Sequence, residues 1–570
     1  MEEQSSPNYT IGMDFGSNSV RAVVVNTQNG SEVGVAVYDY PSGEKGILLD
    51  PSDHNLARQS PSDYLGGTLE TLKQTLQLAQ ANDPDFSPER VAGIGVTATG
   101  SSPLPVDKEN RPLAFREQFA KNPNAQCWLW KDHTSTMEAH RITEFAKKDR
   151  PQFLERCGGS YSSEWFWSKV WHCANVDPDL FSAIHSWVEL ADWIPSVLAG
   201  VRSPEAIRRG ICAAGHKALY SADWGGLADK EFLERLDPRL ADLRDRLFER
   251  TYDASQCAGR LCQDWADSCG LPTGIPIAIG ALDVHYGAIG AGISECSLVK
   301  VIGTSSCDCA IANLESETPV ISGICGIVES SILPRMYGIE AGQSAVGDIF
   351  AWFVERVCKG NADTHAKLTE EASSLKPGQS GLIALDWNNG NRNVLADPLL
   401  TGLLVGQTLH TTQAEIYRAL IEATAFGARM ILEQLESGGV TIDRIICAGG
   451  IAERNQLLMQ IYADITGREL RISSSSQTCA LGAAVVAAVC AGTRKGGYDD
   501  FETAQQAMTS LSEEAYQPNR ENQAAYQPLF EIFKTLHDAF GRNNEPQSLG
   551  TVMKTLLELK QRARVHSTSK

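Results

Sequence analysis

Thr10-Ile11-Gly12-Met13-Asp14-Phe15-Gly16-Ser17-Asn18-Ser19-Val20-Arg21-Ala22-Val23-Val24-Val25 decides how the rest of the chain is read. Apolar residues lead into and out of a short polar turn, the pattern of two tightly joined strands. Gly16 allows the backbone the turn requires. Ser17, Asn18 and Ser19 add short donors beside the backbone N–H groups, and such a concave nest suits phosphate oxygens. Asp14, closing the first strand, can hold a metal ion or its water. An ordinary hairpin with a solvated turn satisfies the same pattern.

A second stretch repeats the arrangement: Ser297-Leu298-Val299-Lys300-Val301-Ile302-Gly303-Thr304-Ser305-Ser306-Cys307-Asp308-Cys309-Ala310. One such hairpin in each half suggests a duplicated fold closing on one polyphosphate. That is the layout of the actin, Hsp70 and sugar-kinase ATPases, in which two ribonuclease-H-like domains clamp ATP. The expected fold class is therefore α/β, with two such domains and a cleft between them.

Bulk properties fit. A chain of 570 residues exceeds one hydrophobic core. Its formal charge of -20 argues against a nucleic-acid or anionic-membrane partner. It would also repel ATP at long range, so local N–H nests, basic side chains and Mg²⁺ must overcome that field. The 15 cysteines are scattered without a metal-binding CxxC pair, as expected for free thiols in a reducing cytoplasm. Cys307 and Cys309 alternate along one strand and so share a face. No signal peptide is expected at the acidic, polar start of the chain. The small-apolar run 480–492 is too short to span a bilayer and reads as a buried helix.

Taken in order, residues 32–40 read as a third strand, 43–62 as a loop and 62–81 as an amphipathic helix. Residues 91–96 form a buried strand running into the small polar loop 97–102, at a strand end where open α/β sheets bind ligands. Trp128, Trp130, Lys131, Asp132 and His133 suit either a polyol pocket or a tryptophan-anchored edge. Trp167 and Trp171 share a helical face and read as core. Residues 187–199 read as a helix. Lys217 stands in Gly215-His216-Lys217-Ala218, where a lone basic residue is ordinarily solvated. Residues 274–282 form a buried strand ending at Asp283, placed either as a general base or as a helix cap. In the second half, helices are expected over 347–358 and 412–436. A strand over 444–448 enters Gly449-Gly450, and Asn455 opens a helix through 465, a plausible adenosine seat. The tail after Glu545, with Lys554, Lys560, Arg562 and Arg564, reads as a solvated amphipathic helix.

Taken together, these segments resemble the FGGY carbohydrate kinases over about residues 10–495. The motifs that carry the resemblance are Asp14-Phe-Gly-Ser-Asn-Ser19, Gly95-Val-Thr-Ala-Thr-Gly100, Trp130-Lys-Asp132, Asp283 with its following glycines, Gly303-Thr304, and Gly449-Gly450 with Asn455. Finer details are Trp128-Leu-Trp-Lys-Asp-His-Thr134, Gly215-His-Lys217, Gly338-Ile-Glu340-Ala-Gly-Gln343 and Leu385-Asp-Trp-Asn-Asn-Gly-Asn-Arg392.

The resemblance implies a sugar and ATP cleft and, from the finer details, L-ribulose as the sugar. It implies Asp283 as the base that deprotonates the attacking hydroxyl. Ala98, through its backbone, with Lys217 and Glu340 would hold the ketopentose, and Asp14 would position Mg²⁺. Gly16, Ser17, Asn18 and Arg21 would face the transferred phosphate, with Gly303 and Thr304 opposite. Gly347, Gly449, Gly450 and Asn455 would lie near the nucleotide. The implied division is a sugar-binding part over 1–289, a nucleotide-binding part over 290–545 and a helical tail over 546–570. Where relatives such as glycerol kinase carry a charged Arg-Glu pair in the first substrate loop, this chain has Ala-Thr-Gly-Ser. Other ketopentoses or polyols (D-ribulose, D-xylulose, ribitol), a non-kinase ATP clamp or sugar sensor, and a homodimer all stay open at this point.

Overall fold

The computed structural model describes residues 8–314, 320–542 and Leu549. Two mixed sheets repeat one topology. In the first, β1 (Tyr9–Phe15), β2 (Ser19–Asn26) and β3 (Glu32–Asp39) form an antiparallel meander. On the other side of β1 lies parallel β4 (Val91–Ala98). An edge follows in which β5 (Cys257–Arg260) runs antiparallel to β6 (Pro276–Ala278), itself parallel to β4. A short strand, β7 (Ala281–Leu282), also pairs with β4.

The second sheet is built the same way. Here β8 (Ser297–Ile302) pairs antiparallel with β9 (Ser306–Asn313). The edge strand β10 (Gly326–Glu329) joins β11 (Met336–Ala341), which lies on β9. On the other side, β12 (Arg444–Ala448) and β13 (Glu469–Ser473) run parallel to β8, and β14 (Leu511–Tyr516) closes the edge antiparallel. This is the expected duplicated, ribonuclease-H-like architecture. Each founding hairpin carries a cross-strand charge pair in register, Asp14 with Arg21 and Lys300 with Asp308, with the signs exchanged between the halves.

Helices cover the sheets: α1 (Pro61–Asn82) packs on β2 and β3, while α2 (Phe166–Val176) and α3 (Ile211–Lys217) belong to an insertion between β4 and β5. Next comes α4 (Asp283–Gly290), directly after β7. In the second half, α5 (Gln413–Ser437) begins with a reciprocal cap between Thr412 and Glu415 and packs on α6 (Gln456–Thr466).

The joining element is α7 (Thr478–Ala491), small and apolar on every side. It lies within the second half in sequence, between β13 and β14, but packs on the first sheet. A Cβ at Gly12 would fall 1.8 Å from the Ala480 carbonyl oxygen, and one at Gly95 1.9 Å from that of Ala483. Only bare backbone on β1 and β4 admits the helix so closely. On its other side α7 crosses α4, so the core is continuous between the halves.

Some local expectations change. Residues 43–62 contain two strands, Leu48–Asp50 and Asp53–Gln59, the latter held by Cys127–Trp128. Ser186–Glu189 is a strand paired with Pro103–Val106 before the helix Leu190–Leu198 begins, because short apolar runs carry no periodicity to separate the two states. The helix expected over 347–358 is Gly347–Ala351 continued by a π-helical segment, Trp352–Val357. A short helix, Gly450–Arg454, intervenes before Asn455. Trp167 and Trp171 are buried as expected, and all 15 cysteines are free. No described helix is long and apolar enough to cross a membrane. Apart from Leu549, the tail 546–570 lies outside the described residues.

Candidate active site

Strand register assembles the centre of the site. Asp14 on β1 is paired with Thr97, and Phe15 with Ala98, on β4. Ala98 is also paired with Leu282 on β7, and the next residue is Asp283. Asp14, Ala98 and Asp283 therefore lie on neighbouring strands at one end of the sheet, the ligand-binding end of an open α/β fold. Asp283 is the first residue of α4, and its Oδ1 accepts a hydrogen bond from the Val284 N–H at 2.7 Å. Asp283 thus follows a strand end as expected, but it is not the helix cap: Leu282 holds that position and Asp283 opens the first turn. Burial, then the negative charge of Asp14, push the Asp283 pKa up to about 7.

Asp14 is buried. Its Oδ2 accepts from Arg21 Nη1 at 3.2 Å, and its Oδ1 has no partner. Burial raises its pKa, with Arg21 working against the shift. A buried carboxylate oxygen left over beside a nest of N–H donors fits Mg²⁺ or one of its waters.

The opposite wall comes from α3 and β11. Lys217 Nζ donates to both oxygens of Glu340, at 2.8 and 3.0 Å, and the two residues are 5% and 7% exposed. The lysine belongs to the first half and the glutamate to the second, so the pair spans the seam. Burial alone would lower the Lys217 pKa, but Glu340 outweighs it and raises the value. Burial would raise that of Glu340, but Lys217, His216 and His285 hold it well below the carboxylate range. The solvated lysine ordinarily expected at such a position is absent. Tyr161 Oη donates to the Lys217 carbonyl at 2.6 Å, and the Trp165 ring lies 5.5 Å from the ammonium.

At the two glycine-hydroxyl turns, the Gly16 N–H donates to Ser19 O, three residues on, and the Gly303 N–H to Ser305 O, two residues on, each at 2.9 Å. Ser17 is half-buried, and its Oγ accepts from Trp130 Nε1 at 2.9 Å. Trp130 therefore borders the first glycine-hydroxyl turn. Asn18 commits its amide to Lys45 O at 2.6 Å. Gly303 O and Thr304 O accept from the N–H groups of Gly347 and Val346 at 3.1 and 2.8 Å. Gly449, at φ 95°, has no room for a Cβ, which would fall 2.6 Å from Ile302 O. Gly303, Thr304, Gly347, Gly449 and Gly450 thus converge at the ends of β8 and β12. Asn455 stands one short helix away, and its Oδ1 caps α6 through the Leu458 N–H at 3.0 Å.

Sequence reasoning missed Lys169 and Glu189, which hold the loop beyond Ala98. Lys169 Nζ donates to the carbonyls of Ser101 and Leu129 at 2.7 and 2.8 Å. Glu189 accepts from Ser101 Oγ and from the Ser102 N–H. A lysine inside the tryptophan-rich α2 was the available signal, since ammonium groups are rarely buried without purpose.

Comparison with known proteins gives the family. Residues 9–290 match the N-terminal domain model of the FGGY family of carbohydrate kinases, and 298–491 match its C-terminal domain model. The chain is 40% identical to a ribulokinase of Shouchella clausii, over 98% of each chain. It is 38% identical to one of Mycolicibacterium smegmatis, over 95% of this chain and 96% of that one. Among solved structures, gluconate kinase from Lactobacillus acidophilus superposes with a TM-score of 0.77 at 18% identity, covering 94% of this chain and 99% of that one. Xylulose kinase from Rhodospirillum rubrum gives 0.75 at 22% identity, covering 93% and 99%. With both domain models matched in order and full-length relatives at this identity, the chain belongs to the FGGY family of carbohydrate kinases.

Proposed function

We propose that this kinase transfers the γ-phosphoryl group of ATP to the terminal hydroxyl of L-ribulose, giving ADP and L-ribulose 5-phosphate. The observation that carries the reading is Asp283, a carboxylate titrating near neutrality at the strand ends beside Ala98 and Asp14. The choice of sugar rests on the full-length likeness to ribulokinases.

In this reading Asp283 accepts the proton of the attacking hydroxyl, a role that contributes about 10²–10⁴-fold. The Ala98 backbone and the Lys217–Glu340 pair hold the sugar so that this hydroxyl faces the phosphate turns. Gly16, Ser17, Asn18 and Arg21 flank the phosphoryl group on one side, Gly303 and Thr304 on the other. Gly347, Gly449, Gly450 and Asn455 seat the nucleotide. Mg²⁺, held through Asp14, would supply charge neutralisation on the phosphates. What remains for the protein is alignment and exclusion of water. The same reading assigns the sugar to residues 1–289 and the nucleotide to 290–545, with α7 fastening the second part to the first.

The test is ADP release with Mg-ATP across L-ribulose, D-ribulose, L- and D-xylulose, ribitol and glycerol. A preference for L-ribulose in kcat/KM is expected. Better turnover of another sugar would replace the substrate, and no sugar-dependent ADP would overturn the kinase reading.

A further inference from the structure

Behind the Lys217–Glu340 pair lies a second buried group whose geometry has a purpose. His216, the neighbour of Lys217 on α3, has Nδ1 3.6 Å from Glu340 Oε2. His285, on α4 two residues beyond Asp283, has Nε2 3.6 Å from the same oxygen and 3.1 Å from His216 Nε2. Both imidazoles are fully enclosed, at 2% and 0% exposure. Ser331, from the second half, places Oγ 3.0 Å from His216 Nε2.

The backbone makes room for this contact. Gly326 on β10 is paired with Glu340, and a Cβ there would fall 2.2 Å from His216 Nδ1. The His216 ring occupies the space that any other residue at 326 would fill. Gly215 does the same one residue earlier, where a Cβ would fall 2.3 Å from Val328 Cγ1. Thus α3 is pressed onto the edge of the second sheet through two glycines.

The proton positions follow. Burial holds the His285 pKa down to about 4 and pushes that of His216 well below its ordinary value, so both rings are neutral at working pH. A lone pair on His216 Nδ1 facing a carboxylate would be repulsive, so that nitrogen carries the proton. His216 Nε2 is then the acceptor and His285 Nε2–H the donor. His285 thus donates to His216, and both rings rest against the Glu340 carboxylate at 3.6 Å without hydrogen-bonding to it. The three groups have the spacing of a metal site. However, the Lys217 ammonium already takes the cation's place on Glu340.

We propose that His216 and His285 are positioning residues for the sugar. They fix the rotamer of Glu340 from behind, so that Glu340 and Lys217 present one geometry to the ketopentose when the halves meet. The inference rests on the assignment of Lys217 and Glu340 to the sugar.

The test compares His285→Ala with His285→Gln, whose amide N–H can stand in for Nε2–H. His285→Ala is expected to raise the sugar KM by about tenfold or more, as small misplacements in a site do. Its kcat and its KM for Mg-ATP should stay close to the parent's, and His285→Gln should recover most of the lost sugar affinity. An unchanged sugar KM in His285→Ala would overturn the proposal. So would equal losses of kcat and of affinity for both substrates in the two variants, the mark of a merely structural role. If His285→Ala fails to fold, Gly326→Ala reads the same point by pushing the His216 ring aside while both histidines remain: a raised sugar KM supports the proposal and an unchanged one overturns it. Glu340→Gln separates the two levels. If it leaves the sugar KM unchanged, the assignment of Glu340 to the sugar fails first.

Discussion

Lys217→Met removes the ammonium that donates to both Glu340 oxygens at 2.8 and 3.0 Å, while keeping an apolar side chain of similar length. At 7% exposure, Glu340 cannot regain a partner from bulk water. Breaking one side of a buried pair costs about 3–5 kcal/mol. The carboxylate has one escape, which is to take up a proton. For a glutamate with an unfolded pKa of about 4.3, that costs about 3.7 kcal/mol at pH 7 and about 1 kcal/mol at pH 5, at about 1.36 kcal/mol per unit.

The sign can be worked for both proteins. In the parent, the folded pKa of Glu340 is depressed, so its stabilisation is present above the unfolded pKa and is lost only as pH falls through the folded value. In the variant the folded pKa lies above the unfolded one, so the native state binds the extra proton and the penalty grows with pH. Uptake by His216 or His285 instead has the same sign. Urea unfolding followed by tryptophan fluorescence at pH 5 and pH 7, for parent and variant, reads the difference directly. The expected loss is several-fold larger at pH 7, and Lys217→Met/Glu340→Gln should recover most of it. An equal loss at both pH values would refute the reasoning, because it would mean that no buried carboxylate is left uncompensated.

Other perturbations test other parts. Asp283→Asn should lower kcat by about 10²-fold or more while leaving ATP affinity nearly intact in a fluorescence titration. It should also raise the melting temperature at pH 8, where the parent must keep a desolvated carboxylate charged. In the parent, log kcat/KM for the sugar should fall as pH drops through about 7, as Asp283 gains its proton. Gly95→Ala should destabilise by about 1–3 kcal/mol or more, visible in thermal melts, because its Cβ would meet the backbone of α7. Lys169→Met should raise the sugar KM and leave that for Mg-ATP unchanged in steady-state kinetics, because the loop beyond Ala98 loses its tie through Ser101 O, and the Leu129 segment its own, on the first half only.

The sequence by itself determined what local chemistry determines. The strand–turn–strand of residues 10–25 and its echo at 297–312 announced the duplication, because a two-residue period and a glycine-hydroxyl turn are written in adjacent positions. The Asp283 strand end, the Asn455 helix start and the buried run at 480–492 were legible for the same reason. Tertiary structure alone decided which of these segments meet. Nothing local indicates that α7 leaves its own half to lie on β1 and β4, since that depends on bare backbone at Gly12 and Gly95, far away in sequence. Lys217 looked like an ordinary solvated lysine until β11 supplied Glu340 across the seam. His216 became part of the site only because Gly326 leaves a slot for its ring. Long-range contacts such as these arise from the packing of whole elements, and the residues that permit them are often glycines, whose contribution is the absence of a side chain.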